Sequence, residues 1–288
     1  MQIKPVLVKE LRERTGAGMM DCKQALVDAN ADIDQAAELL RKSGQAKADK
    51  KALRVAAEGL ILATSNADDG RHAIVEVNSE TDFVAKDDNF QQFVNLVGRL
   101  ILEHSPPDID ALMQLDVDGQ SLEQARQTLV SKVGENIAVR RFEVLTSEGV
   151  VAAYTHMGRI GVLVETDGGD TDLARDLAMQ VAATSPLYVS PDDVPEDVLA
   201  KEKEILGAQA VQEGKPEHII EKVIEGRLRK HFDEITLTGQ PFVKDPDQRV
   251  RDLLSANSAQ VKRFLRYEVG EGIEKKQADF GAEVAALL

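Results

Sequence analysis

A single cysteine, Cys22, in a chain of 288 residues excludes an intramolecular disulfide framework and any multi-cysteine zinc or iron–sulfur site, and it fits a reducing cytosol. A basic excess is missing as well. Lys and Arg number 35 against 50 Asp and Glu, for a formal net charge of −15. With no surplus of cations to release counterions from phosphates, direct nucleic-acid binding is not expected. Long apolar runs are also lacking: nowhere do about 18 uncharged apolar residues follow one another. The N-terminus shows no basic start leading into an apolar stretch, so neither membrane spanning nor export is expected. The expectation is a soluble, cytoplasmic protein.

What is present is a 43% hydrophobic content, ample for the cores of two or three domains. Charge is unevenly placed: residues 1–54 hold 11 Lys and Arg against 8 Asp and Glu, net +3, which leaves −18 for the remainder. A mildly basic head on an acidic body suits docking on an acidic partner face. Helical spacing marks three short helices in the head, broken at Gly16-Ala17-Gly18 and opened again by an Asp32/Gln35 cap, with Gly44 as the expected stop. Cys22 falls on the apolar stripe of the second. Lys47 to Arg54 then reads as a solvated helical connector.

From Gly59 the period becomes that of strands. A hairpin of Leu60–Thr64 and Ala73–Val77 is followed by a helix near Phe90–Glu103, for which Asp88 reads as the cap. A second hairpin, Val150–Tyr154 and Gly161–Glu165, is followed by a helix at Leu173–Ala183, so an internal duplication is expected. Glu196–Gln212 and Glu217–Phe232 read as an antiparallel helix pair, with Leu199, Ile205 and Leu206 facing Ile219, Ile220, Val223 and Ile224. Strand-like Ile235-Thr236-Leu237 and Arg263–Tyr267 come after it, so the pair looks inserted into the second unit. A last helix is expected from Glu274 to Leu288. Pro106–Gly119 is irregular and carries no assigned role.

The search for chemistry finds little. Gly270-Glu271-Gly272 lacks the glycines and lysine of a phosphate loop and reads as a turn. The five histidines have no metal-ligand spacing. No catalytic residue, metal site or cofactor is expected. Two features remain. Ser79–Asp88 is an acidic loop with Phe83-Val84 at its centre, and surface loops are polar; Phe83 is either a plug folded back on the core or a finger for another protein. Met19-Met20 opens the second helix, where helical geometry turns Met19 inward with Cys22 and leaves Met20 outward.

The stretches Leu11–Lys23, Thr81–Lys86, His156–Gly161, Leu237–Phe242 and Glu268–Glu274 together resemble bacterial elongation factor Ts, in order and across essentially the whole chain. The resemblance implies an α+β fold with a ubiquitin-associated-like three-helix head, two related α+β core subdomains, an inserted helical hairpin and a C-terminal helix. Mapped onto this chain, residues 1–54 form the head and connector, 55–146 the first subdomain, 147–189 and 233–269 the second, 190–232 the hairpin and 270–288 the C-terminal module.

The function so implied is nonenzymatic: a guanine-nucleotide exchange factor for elongation factor Tu in translation elongation, promoting loss of magnesium and GDP so that GTP can load. Thr81, Asp82, Phe83 and Val84 match the family motif associated with dislodging the partner's magnesium. Lys9, Arg12, Met19 and Met20 in the head, and His156 and Arg159 in the second subdomain, are the implied partner contacts. Some relatives dimerise through the hairpin, an option left open for this chain. Two rival readings are an adaptor for ubiquitin-like or client proteins, which leaves the Phe83 loop unexplained, and a small-molecule enzyme, which requires a polar cleft that the sequence does not indicate.

Overall fold

The computed structural model describes residues 3–66 and 69–274. Residues 275–288, and with them nearly all of the expected last helix, lie outside the described residues, as does Asp68 in the first hairpin turn. Helices and strands are mixed along the chain, an α+β protein. Contacts divide the chain into two units, one holding the chain up to Leu62, Val75–Val144 and the part from Tyr267 onward, the other Ala63–Ile74 and Leu145–Arg266.

The first unit opens with α1 (Pro5–Thr15), α2 (Met19–Asp28) and α3 (Ile33–Lys51). Then come β1 (Glu58–Asn66), β2 (Arg71–Ser79), α4 (Asp82–Ala85), α5 (Asp88–His104), α6 (Ile109–Met113), the short pair β3 (Asp116–Val117) and β4 (Gln120–Ser121), α7 (Leu122–Val133) and β5 (Ile137–Thr146), of which Ala63–Asn66, Arg71–Ile74 and Leu145–Thr146 are counted with the second unit. Pro5 stands at the start of α1, where its missing N–H has no helical partner to lose, and Gly16 ends the helix with a φ of 68°, a left-handed cap. Asp32 caps α3 by accepting the Gln35 N–H. Leu11, Cys22, Ala25, Leu26 and Ala36 are buried together where the three helices meet. Cys22 is thus a small core residue.

Gly44 does not stop α3, which continues to Lys51. A Cβ on Gly44 would lie 2.9 Å from Ser131 Oγ of α7, so glycine here lets two helices approach closely. The expected solvated connector is helical as far as Lys51 and exposed at Asp49, Lys50, Ala52, Leu53 and Arg54, while Ala48 is fully buried where α3 runs against α7. A Gly44→Leu substitution is expected to wedge the pair apart at a cost of about 2 kcal/mol, a fall of about 6 °C in melting temperature by calorimetry.

The first sheet has the order β1-β2-β5, and its central strand is buried along most of its length. In the middle of β2 sits a carboxylate, Glu76, with no exposure. It accepts from Arg140 Nη1 at 3.0 Å, Arg141 Nε at 2.6 Å, Asn78 Nδ2 at 3.0 Å and the Gly270 N–H at 2.8 Å. Arg141 also bonds Glu271 and lies 4.1 Å over the Tyr267 ring. Burial pushes the Glu76 carboxyl up; the Gly270 N–H, Asn78, Arg141 and Arg140 together outweigh that and hold it below the usual carboxylate range. Gly270-Glu271-Gly272 is a turn, with positive φ at both glycines, and Glu76 moors it.

The second unit contains β6 (Val150–His156), β7 (Ile160–Asp167), α8 (Thr171–Thr184), α9 (Glu196–Gln212), α10 (Glu217–Ile235), β8 (Pro241–Phe242), β9 (Asp245–Arg249), α11 (Val250–Ala256) and β10 (Gln260–Glu268). Its sheet order is β10-β7-β6, with α8 packed across β6 and β7. Here too the central strand carries a buried glutamate, Glu165, bonded by Ser147 Oγ at 2.6 Å and Arg263 Nε at 2.7 Å. The outer strand reads Val139-Arg140-Arg141-Phe142 in one sheet and Val261-Lys262-Arg263-Phe264 in the other. The likeness between the two halves therefore extends past hairpin and helix to a third strand and its basic pair.

In α9 and α10 the buried cluster is Leu206, Leu228 and Phe232, with Leu199 and Ile224 beside it. Ile205, expected to face inward, is exposed, because Leu199 and Leu206 lie seven residues apart on one stripe and Ile205 falls off it. Ile235-Thr236-Leu237 is no strand: Thr236 makes one isolated bridge to Tyr188, and Leu237–Gly239 is a 3-10 turn. Gly239 accounts for the turn, since a Cβ there would meet Asp233 Cα at 2.4 Å. No helix among the described residues is long and apolar enough to cross a membrane.

Candidate functional site

The Ser79–Asp88 stretch leaves the buried end of β2 and forms the single helical turn α4. Its backbone is fixed from behind by the residues that follow α7. The Thr81 N–H and Oγ1 both donate to Glu135, at 2.9 and 2.7 Å. Glu80 accepts the Asn136 N–H at 2.6 Å and pairs with Arg54 at 3.5 Å. Ser79 Oγ donates to the Thr81 carbonyl at 2.9 Å. Val84 and Ala85 are buried, whereas Phe83 is 79% exposed. This overturns the plug reading of Phe83: its neighbour Val84 fills the inward position, and on so short a turn the two adjacent side chains point in different directions.

Asp82 accepts from Lys86 Nζ at 2.8 Å, and that ammonium stands 5.9 Å from the Phe83 ring centroid. Both charged groups are exposed. The next helix is capped by Asp87, not Asp88: Asp87 Oδ1 accepts from the Asn89 and Phe90 N–H groups at 2.9 and 3.3 Å. Bonds from the Asn89 side chain, then from these N–H groups, hold its carboxyl below the usual range.

In the head, Lys9 and Arg12 lie one turn apart on α1 with exposed side chains, Lys9 pairing with Glu13 at 3.7 Å. Met20 is 73% exposed and Met19 is 60% exposed. The expectation that Met19 turns inward is therefore corrected. As the first residue of α2 it precedes the turn that packs on α1, and Cys22, Ala25 and Leu26 fill the core without it. The head loop and the Phe83 turn approach the same helix end. Gly16 sits beside Lys132 of α7, whose ammonium donates to Asn89 Oδ1 at 2.6 Å.

The second unit holds His156 and Arg159 at the tip of the β6–β7 hairpin, both exposed. Tyr154 Oη and His156 Nδ1 are 3.1 Å apart. Thr81–Val84 thus share one turn, and Lys9, Arg12, Met19 and Met20 share the head of the same unit, while His156 and Arg159 belong to the other.

Sequence reading missed several residues here. Glu135 and Asn136 hold the turn from more than fifty positions away, and no local pattern announces that. Leu53 is 91% exposed. The carbonyls of its neighbours Ala52 and Arg54 accept from Asn136 Nδ2, which places it beside Glu80. A lone leucine in a Lys/Ala-rich stretch was the available signal.

Among the described residues, no three His, Cys, Asp or Glu side chains converge as a metal cage. One cleft of 530 Å³ lies between the head and α7, lined by Arg14, Arg41, Lys42, Gln124 and Ser131 among others. Among the described residues, its walls carry no histidine, cysteine or carboxylate.

The sequence matches the family model described as Elongation factor TS over residues 80–271. It is 57% identical to an elongation factor Ts from Halorhodospira halophila over 288 residues, covering 100% of this chain and 99% of that protein. It is 55% identical to one from Thioalkalivibrio sulfidiphilus, covering 99% and 98%, and 53% identical to one from Methylococcus capsulatus, covering 100% and 99%. With a family match over most of the described core and relatives aligned end to end, the chain belongs to the elongation factor Ts family.

Proposed function

We propose that this chain is a nonenzymatic guanine-nucleotide exchange factor for elongation factor Tu, acting in the cytoplasm during translation elongation. It binds the GDP form of the partner, promotes loss of magnesium and GDP, and so allows GTP to load. The observation that carries this reading is Phe83, a large aromatic ring held out to solvent by a turn that Glu135, Glu80 and Val84 fix from behind. An exposed aromatic on a preorganised element loses little entropy on docking.

In this reading Thr81, Asp82, Phe83 and Val84 act on the magnesium site of the partner, Phe83 as the wedge and Thr81 and Val84 as its mount. Lys9, Arg12, Met19 and Met20 bind the GTP-binding domain, and His156 and Arg159 bind another part of the partner. The architecture is a ubiquitin-associated-like head (1–54), two related α+β subdomains (55–146, and 147–189 with 233–269), an inserted hairpin (190–232) and a C-terminal module (270–288).

The physics restricts how Phe83 works. A GTPase holds GDP through phosphate contacts and a magnesium ion that offsets their charge, so a side chain that favours the magnesium-free arrangement loosens the nucleotide without chemistry on it. Such coupling is reciprocal. Titration calorimetry of full-length chain into Tu, nucleotide-free and then with saturating GDP and magnesium, tests it. The second affinity should be weaker by the factor by which the chain weakens GDP. Equal affinities would sink the proposal.

A further inference from the structure

The cleft of 530 Å³ between the head and α7 has no part in the exchange reading, and its size lies within the range of about 300–1,000 Å³ usual for small-molecule sites. All of its walls belong to the first unit. Arg14 of α1, Arg41 and Lys42 of α3, and Lys132 of α7 bring four cations to it from three helices, while among the described residues no carboxylate lines it. In a chain with 50 acidic residues against 35 basic ones, a face that is merely solvated would mix the signs. Below these exposed cations lie Ala17, Ala37 and Leu40, half-buried against the core of the head. The α7 side adds two half-buried amides. Gln124 uses its carbonyl oxygen to accept the Ser121 N–H at 3.1 Å, which leaves its amide N–H groups as donors; Gln127 donates to Glu123 at 2.8 Å, which leaves its carbonyl as an acceptor.

Two of the cations have carboxylate partners outside the walls, Arg14 with Asp34 at 2.6 Å and Lys42 with Glu38 at 2.8 Å. All four groups of these pairs are more than half exposed, so the pairs are weak. A phosphate carries more charge than a carboxylate and takes two guanidinium N–H bonds at once, so it can displace them. Lys132 bonds the neutral Asn89 amide oxygen at 2.6 Å, which leaves its charge in place. The acidic body of the chain repels anions, but salt screens it beyond about 10 Å, and the four local cations decide the sign of the cleft. The geometry points to a binding site for a nucleoside polyphosphate, its phosphates bonded by Arg14, Arg41, Lys42 and Lys132, its base lying on Ala37 and Leu40 with Gln124 and Gln127 reading its edge. Such a ligand ties the head to α7. The site needs no elongation factor Tu, so it stands or falls separately from the exchange reading.

The test is titration calorimetry of the full-length chain alone, without magnesium, with ATP, GTP, inorganic tripolyphosphate and adenosine as probes. At least one of the two nucleotides should bind once per chain with a Kd below about 100 µM and, at saturation, raise the melting temperature by about 3 °C. Tripolyphosphate should bind about 10-fold more weakly, and adenosine weaker still. Arg41→Glu should weaken the nucleotide about 10-fold and Lys42→Met about 5-fold. Lys23→Glu, at an exposed position of α2 outside the cleft, should bind as the parent does. Should Arg41→Glu melt well below the parent, Lys42→Met carries the comparison. Absence of saturable binding by both nucleotides overturns the proposal. Tripolyphosphate binding as tightly as the nucleotide would make the cleft a bare polyanion surface and overturn it as well. Equal weakening by Lys23→Glu and Arg41→Glu would trace the binding to diffuse charge on the head and remove the site.

Discussion

Replacing Phe83 by alanine is expected to slow release of GDP from elongation factor Tu about 30-fold, the effect of losing an interface anchor worth about 2 kcal/mol. The melting temperature should stay within about 1 °C of the parent. The two halves of that expectation have separate causes. The ring is exposed, so removing it opens no cavity, and the nearby Lys86 ammonium is itself exposed, where a cation–π contact adds little. The turn keeps its form without the ring because Thr81 is bonded twice to Glu135 and Val84 remains buried. Val84→Ala supplies the converse: it removes buried methyl groups, costs about 1 kcal/mol of stability, and leaves the ring in place. A Phe83→Ala protein that melts several degrees lower yet exchanges normally would restore the plug reading.

The largest loss of stability is expected from Glu76→Gln, about 2–3 kcal/mol for the first unit, measured by denaturant unfolding. Glu76 is enclosed, and its two oxygens serve Arg140, Arg141, Asn78 and the Gly270 N–H. Glutamine keeps the shape but replaces one acceptor by a donor and removes the charge. At least one guanidinium or the Gly270 N–H then loses its partner in a buried setting. Arg140 and Arg141 are themselves only partly buried, so water offsets some of the loss, and the expected cost stays below that of a fully enclosed pair.

The pH dependence of that cost follows from the Glu76 carboxyl lying below its usual range in the folded chain. The native state binds fewer protons than the unfolded chain there. The Glu76 contribution is therefore complete above the unfolded carboxyl pKa of about 4.3 and is lost as pH falls through the lower folded value. The stability gap between parent and Glu76→Gln should stay constant between about pH 5 and 8 and narrow on acidification below about pH 4.3. A gap unchanged down to the acid limit of folding would exclude the charge as its source.

Much of this architecture can be read from local pattern, and the exceptions share a cause. The period-2 runs ending at Val77 and Glu165, the Asp32 cap, the left-handed Gly16 and the boundaries of α9 follow from residues within a turn of each other. Gly44 misleads because its role is set by Ser131, far along the chain; a glycine that ends a helix and one that admits a neighbouring helix look alike in sequence. Asp87 and Asp88 compete for one cap, and composition cannot rank them. The Phe83 turn was conspicuous in sequence as an aromatic among acids. Whether its ring faces in or out is decided by Glu135 and Val84, only one of which is adjacent. Glu76 gave no signal, since its burial depends on two arginines and a glycine N–H brought from β5 and residue 270.

The most direct measurement is release of fluorescent GDP from the cognate elongation factor Tu at fixed magnesium, followed by stopped flow with stoichiometric full-length chain. The account predicts that release accelerates by orders of magnitude over the spontaneous rate, and that Phe83→Ala loses most of the acceleration. Unchanged GDP release with the parent chain, shown to be folded and bound to Tu, would contradict it.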